Sequence, residues 1–121
     1  MSRGELLSHT FDVLEIRDRV RRDELKKALD DKISPLIENY DEEIDKLEES
    51  YYALINKSNN IDARKQLLAS LDSESNRLFQ HLCDSCLPYA QEYDEALRLL
   101  AKKTREEREY IILSTFKQGI E

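Results

Sequence analysis

His81, Cys83 and Cys86 form the segment His-x-Cys-x-x-Cys, where soft metal ligands and paired thiols lie closest together in this chain. A Cys-x-x-Cys pair can bind zinc or cycle between dithiol and disulfide, and metal binding requires the ligands to converge on one point. On a helix the two thiols, three residues apart, share a face, whereas His81 is turned about 200° away from Cys83. The second histidine, His9, is distant in sequence. Cys83 and Cys86 are therefore read as small apolar packing residues, and no metal and no cofactor is expected.

Other catalytic arrangements are thinner still. A di-iron bundle would place Glu three residues before each histidine, but Leu6 and Leu78 occupy those positions. Glu42-Glu43 and Glu48-Glu49 are paired acids on a helix surface, with no cleft to separate their proton affinities. The only glycines are Gly4 and Gly119, so no glycine-rich loop can cradle a phosphate, and no G-x-S-x-G elbow exists. The expectation is a protein that is not an enzyme and has no small-molecule substrate.

Any useful side chains must be carried on helices. The 121 residues suit one all-helical domain, 1–121, and are 40% hydrophobic and 37% charged. Ordinary domains are about 25% charged, and this Leu, Glu, Lys and Arg-rich composition fits long helices and coiled-coil-like packing. No apolar run reaches 18 residues, and the N-terminus shows no basic-then-apolar leader, so a soluble intracellular protein, cytoplasmic or nuclear, is expected. Two cysteines without a disulfide framework agree with a reducing compartment.

The spacing predicts helices at about 5–33, 35–57, 61–87 and 88–118, with the main turn at 57–60. Ser34-Pro35 reads as a helix start or a kink, because proline is tolerated in the first turn but disrupts an interior one. Lys57-Ser58-Asn59-Asn60 has turn and capping chemistry, Asp72 to Asn76 is a soft stretch, and Gly119 is a natural stop. Two heptad seams stand out. Ile33, Ile37, Tyr40, Ile44, Leu47, Tyr51 and Leu54 step alternately by four and three, as do Phe79, Cys83, Cys86, Ala90, Tyr93, Leu97 and Leu100.

Pro35 lies 24 residues before Asn59 and Pro88 lies 29 after it, so both breaks fall at similar levels if Asn59 marks a hairpin tip. The reading is all-α: a long antiparallel helical hairpin kinked near Pro35 and Pro88, or a four-helix bundle if the chain reverses again there. The hairpin is preferred because few polar residues flank either proline.

The net charge of −7 disfavours wrapping of nucleic acid or an acidic membrane. Seven carboxylates and two lysines lie between Ser34 and Asn60, whereas basic residues gather at 17–27 and 98–108. The expected function is that of a helical interaction protein, an adaptor, scaffold, assembly factor or small subunit in a homo- or hetero-oligomer. Its partner-binding residues would be Ile37, Tyr40, Ile44, Leu47, Tyr51, Leu54, Phe79, Tyr93, Leu97 and Leu100. The alternative is a regulator touching nucleic acid or anionic lipid through Arg21, Arg22, Lys102 and Lys103. Six tyrosines against three phenylalanines add amphipathic aromatic groups suited to half-wet surfaces.

Overall fold

The structure is a computed structural model that describes residues 2–120, with side-chain surroundings described as far as Thr115. Helix α1 spans Arg3–Lys57 and helix α2 spans Ile61–Ile120, and the two pack against each other as a helical hairpin. No described helix is long and apolar enough to cross a membrane.

Local chemistry sets the ends. Ser2 and Glu5 form a reciprocal capping box: the Glu5 amide donates to Ser2 Oγ at 3.1 Å and the Ser2 amide donates to Glu5 Oε2 at 3.4 Å. The reversal occupies residues 58–60. Asn60 Oδ1 accepts from the amides of Asp62 at 2.9 Å and Ala63 at 3.4 Å, which satisfies two donors at the start of α2. Arg64 Nε closes the loop by donating to the Ser58 carbonyl at 2.7 Å. No described residue adopts positive φ, so the turn is made by capping rather than by a left-handed residue.

Neither proline ends a helix. The expected segments 5–33 and 35–57 are joined through Pro35, and 61–87 and 88–118 through Pro88. The further reversals required by a four-helix chain are absent among the described residues. Pro35 and Pro88 are both exposed, where water can serve the carbonyls that their missing N–H groups leave unpaired. The soft stretch at 72–76 is helical too, next to buried Leu71, and α2 runs past Gly119.

The chain divides into two compact units, residues 1–29 with 91–121 and residues 30–90. Within the 30–90 unit the arms are antiparallel: Lys32 lies over the Tyr89 ring, Tyr40 meets Phe79, and Tyr51 meets Glu74. In the other unit, Arg17 pairs with Glu107 and Asp18 with Thr104.

At the start of α1 the covered stripe, 7, 11, 14, 18, 21 and 25, steps by four and three. From residue 25 on, a covered stripe repeats every eleven residues, at 25, 29, 33, 36, 40, 44, 47, 51 and 55 in α1 and at 63, 67, 71, 74, 78, 82, 85, 89, 93, 96, 100, 104, 107 and 111 in α2. That is 3.67 residues per turn, close to an unstrained helix, whereas a heptad needs under-winding to 3.5. The heptad seams are corrected accordingly: Leu36 and Ile55 face inward in place of Ile37 and Leu54, and Leu78 in place of Phe79. Ile16 and Val20 are likewise exposed.

Replacing Pro35 with Ala restores an interior helical hydrogen bond, so P35A is expected to raise unfolding stability by up to about 3 kcal/mol, read from urea titration. No gain would mean that the backbone around residue 35 has no helical bond to recover.

Candidate functional site

In the unit formed by 1–29 and 91–121, the inward stripe of α1 runs through Leu7, Phe11 and Leu14 and then meets polar residues. Leu14 is 7% exposed and Thr104 8%. Thr104 Oγ1 donates to Asp18 Oδ1 at 2.8 Å, and Arg22 Nε forms an ion pair with the other Asp18 oxygen at 2.9 Å. One turn further along, Glu107 pairs with Arg17 and lies 3.7 Å from Arg21. Asp18 and Glu107, one on each helix, thus anchor a polar layer inside an otherwise apolar seam. A polar layer of this kind resists sliding of one helix past the other, because a shift would leave its groups unpaired.

Residues immediately before an inward position lie about 100° round the helix from it, and in an antiparallel pair that rotation brings both helices to the same face. Leu6, Val13 and Val20 share this face with Leu99, Tyr110 and Leu113, and all six are exposed, Tyr110 by 73%. A groove of about 550 Å³ opens there, floored by Leu14 and Ile111 and edged by Arg17, Lys103, Glu106 and Tyr110.

In the 30–90 unit, residues that follow an inward position form one face. Ile37, Asp41, Glu48 and Tyr52 of α1 lie beside Leu68, Asp72, Phe79 and Cys83 of α2, and all except half-covered Glu48 are exposed. The Phe79 ring meets Tyr40 edge-on at 6.2 Å between centroids while remaining 54% exposed. The opposite face is mainly polar, with exposed Leu54 near its end. Asn39, Glu43 and His81 edge one of its grooves, and Glu43, Lys46, Ser50 and Arg77 edge the next.

Of the ten partner-binding residues expected from sequence, Tyr40, Ile44, Leu47, Tyr51, Tyr93, Leu97 and Leu100 are half-buried along the hairpin seam. Ile37, Leu54 and Phe79 are left exposed. Cys83 is exposed and Cys86 half-buried, both unpaired, and His81 edges the other face. No group of three or more His, Cys, Asp or Glu side chains converges on a metal position among the described residues. In the basic clusters, Arg21 and Arg22 lie against Glu107 and Asp18, Arg98 pairs with Glu95, and Lys102 and Lys103 are exposed.

Asp18, Arg21, Thr104 and Glu107 were not singled out from sequence as seam residues. A signal was present, since steps of four and three from Phe11 and Leu14 reach positions 18 and 21.

Charge separates by unit. Residues 30–90 carry 13 carboxylates against 6 Lys and Arg, a net −7, whereas 1–29 and 91–121 together carry 13 of each. All four ion pairs of the described residues lie in the balanced unit, at Arg17, Arg21, Arg22 and Arg98.

One tyrosine is electrostatically distinct. The Tyr51 hydroxyl donates to Glu74 Oε1 at 3.0 Å. That bond, then partial burial, then the carboxylate's charge hold its pKa above the ordinary phenol value.

No protein-family model, curated protein or solved structure matches the chain.

Two outcomes are expected from these contacts. Thr104→Val should destabilise the fold by about 1–3 kcal/mol in urea titration, because Asp18 loses a donor, and Asp18→Leu added to it should recover most of that loss. A double variant as unstable as the single one would rule out a pairing role. Because the Tyr51 pKa is raised on folding, its stabilisation is complete below the unfolded value and disappears as pH rises through the folded one. Ultraviolet titration should show one late-ionising tyrosine that shifts downward in Glu74→Gln; an unchanged titration would remove this hydrogen bond from the account.

Proposed function

We propose that the protein is a non-enzymatic helical docking module, an adaptor, assembly factor or small subunit that works by presenting apolar helix faces to other helices. The observation that carries this reading is the imbalance of burial. Among the described residues only Leu14 and Leu71 are buried apolar side chains, while fifteen large hydrophobic residues are exposed. Isolated exposed apolar residues are ordinary, but contiguous patches mark interaction surfaces. Here they are grouped: Leu6, Val13, Val20, Leu99, Tyr110 and Leu113 share a face of one unit, and Ile37, Tyr52, Leu68 and Phe79 share a face of the other.

The mechanism is helix-against-helix packing, in which aromatic and aliphatic anchors provide affinity and flanking charges select orientation. Tyr110 has the character of such an anchor, with a large ring at the edge of the groove above Leu14 and Ile111. The polyanion alternative has less support, because Arg21 and Arg22 lie against carboxylates and their unit carries no net charge.

The test is the mass of the protein in solution, from light scattering over a dilution series, together with its size in fractionated native extract. An assembly is expected in at least one setting, and Val13→Glu with Tyr110→Glu should weaken it about tenfold or more while leaving helix content unchanged. A monomer in both settings would refute the proposal.

A further inference from the structure

The exposed face of the 30–90 unit has a definite chemical pattern. Leu68 and Phe79 are eleven residues apart on α2, about 16 Å along the axis and only about 20° round it. Asp72 lies between them on the same face, and near its level on α1 are Glu48 and exposed Asp45, which follows inward Ile44; Ile37 and Asp41 lie at the level of Cys83 and Phe79, and Tyr52 at that of Leu68. Two apolar clusters, Ile37 with Phe79 and Cys83, and Tyr52 with Leu68, are thus separated by carboxylates.

The charge around them is one-sided. The unit holds the whole net −7 of the chain, and no ion pair lies within it among the described residues. Of its six cations, Lys46 and Arg77 edge the opposite face and Lys32 lies 5.8 Å from the Tyr89 ring centroid, while Arg64, which follows inward Ala63, donates to the Ser58 carbonyl at the turn. The arm between residues 30 and 57 is about 42 Å long, and two helices side by side present a width of about 20 Å. That area matches the roughly 800 Å² which one partner commonly contributes to a stable interface.

We infer that this face receives a basic amphipathic helix of a partner protein, with apolar side chains about eleven residues apart on the Phe79 and Leu68 clusters and Lys or Arg between them over Asp45, Glu48 and Asp72. The inference rests on the docking role proposed above and specifies the occupant of one face. A second copy fits poorly there, since the same carboxylates would face one another. A helix fits better than a flexible basic chain, because the apolar clusters recur at a helical repeat.

The probe is a labelled peptide of about 18 residues, built of Leu and Lys with one apolar stripe, which spans about 27 Å as a helix. It is titrated into the full chain by fluorescence anisotropy. Controls are a scrambled peptide of the same composition and a Leu and Glu version of the same pattern. One peptide is expected per chain, with affinity falling about tenfold or more between low and moderate salt. Leu68→Glu with Phe79→Glu should weaken binding about tenfold, and Asp45→Asn with Asp72→Asn, which leaves the apolar clusters intact, should weaken it several-fold. Circular dichroism verifies that each variant remains helical.

Equal binding of the scrambled peptide, or undiminished binding to the Phe79 variant, would overturn the inference. So would dimerisation of the chain lost in the Phe79 variant, with no peptide bound; the occupant would then be a second copy and the docking role would survive. Absence of both peptide binding and any assembly would remove the docking role as well.

Discussion

A helix with one neighbour can remove only one stripe of side chains from water, and every other feature of this chain follows from that limit. From residue 25 on, the stripe repeats every eleven residues, which keeps 3.67 residues in a turn and lets long helices pack without the under-winding that a heptad seam demands. Its cost is shallow burial. A fully buried Leu contributes about 1.5–3 kcal/mol, yet among the described residues only Leu14 and Leu71 come close to that state. Most seam residues are half covered, so stability is spread thinly over many contacts and large apolar groups are left facing outward.

A seam of half-covered Leu, Ile and Tyr specifies register weakly, because neighbouring registers bury similar areas. Polar contacts across the seam add the missing discrimination. Thr104 with Asp18, and Glu107 with Arg17, hold one unit; the Tyr51 hydroxyl on Glu74 marks a level in the other. Each pairing is satisfied in one alignment and broken by a shift of a turn. The capped three-residue reversal fixes the alignment at its end of the hairpin.

Charge then distinguishes the two units. In the balanced one, acids and bases interleave closely enough to pair, including much of the basic cluster that might otherwise face a polyanion. In the acidic one, carboxylates border the apolar clusters while Lys46 and Arg77 edge the far side. Surface ion pairs contribute little to stability, so these arrangements matter chiefly for which surfaces can approach one another.

The sequence by itself determined the helical class, the turn beside Asn60 and the acidic bias near 38–49, because propensity, capping and charge are read locally. It also exposed the apolar side of each helix, but not which member of an adjacent pair faces inward. At Leu36-Ile37, Leu54-Ile55 and Leu78-Phe79, both residues are apolar, so heptad and eleven-residue readings are equally hydrophobic and diverge by a single position. Only packing against the opposite helix decided in favour of Leu36, Ile55 and Leu78, which left Ile37, Leu54 and Phe79 in water. The prolines followed the same logic. A local rule allows Pro35 and Pro88 to end, start or merely interrupt a helix, and tertiary packing on both sides carried each helix through, because ending it would have exposed the seam that the opposite arm covers.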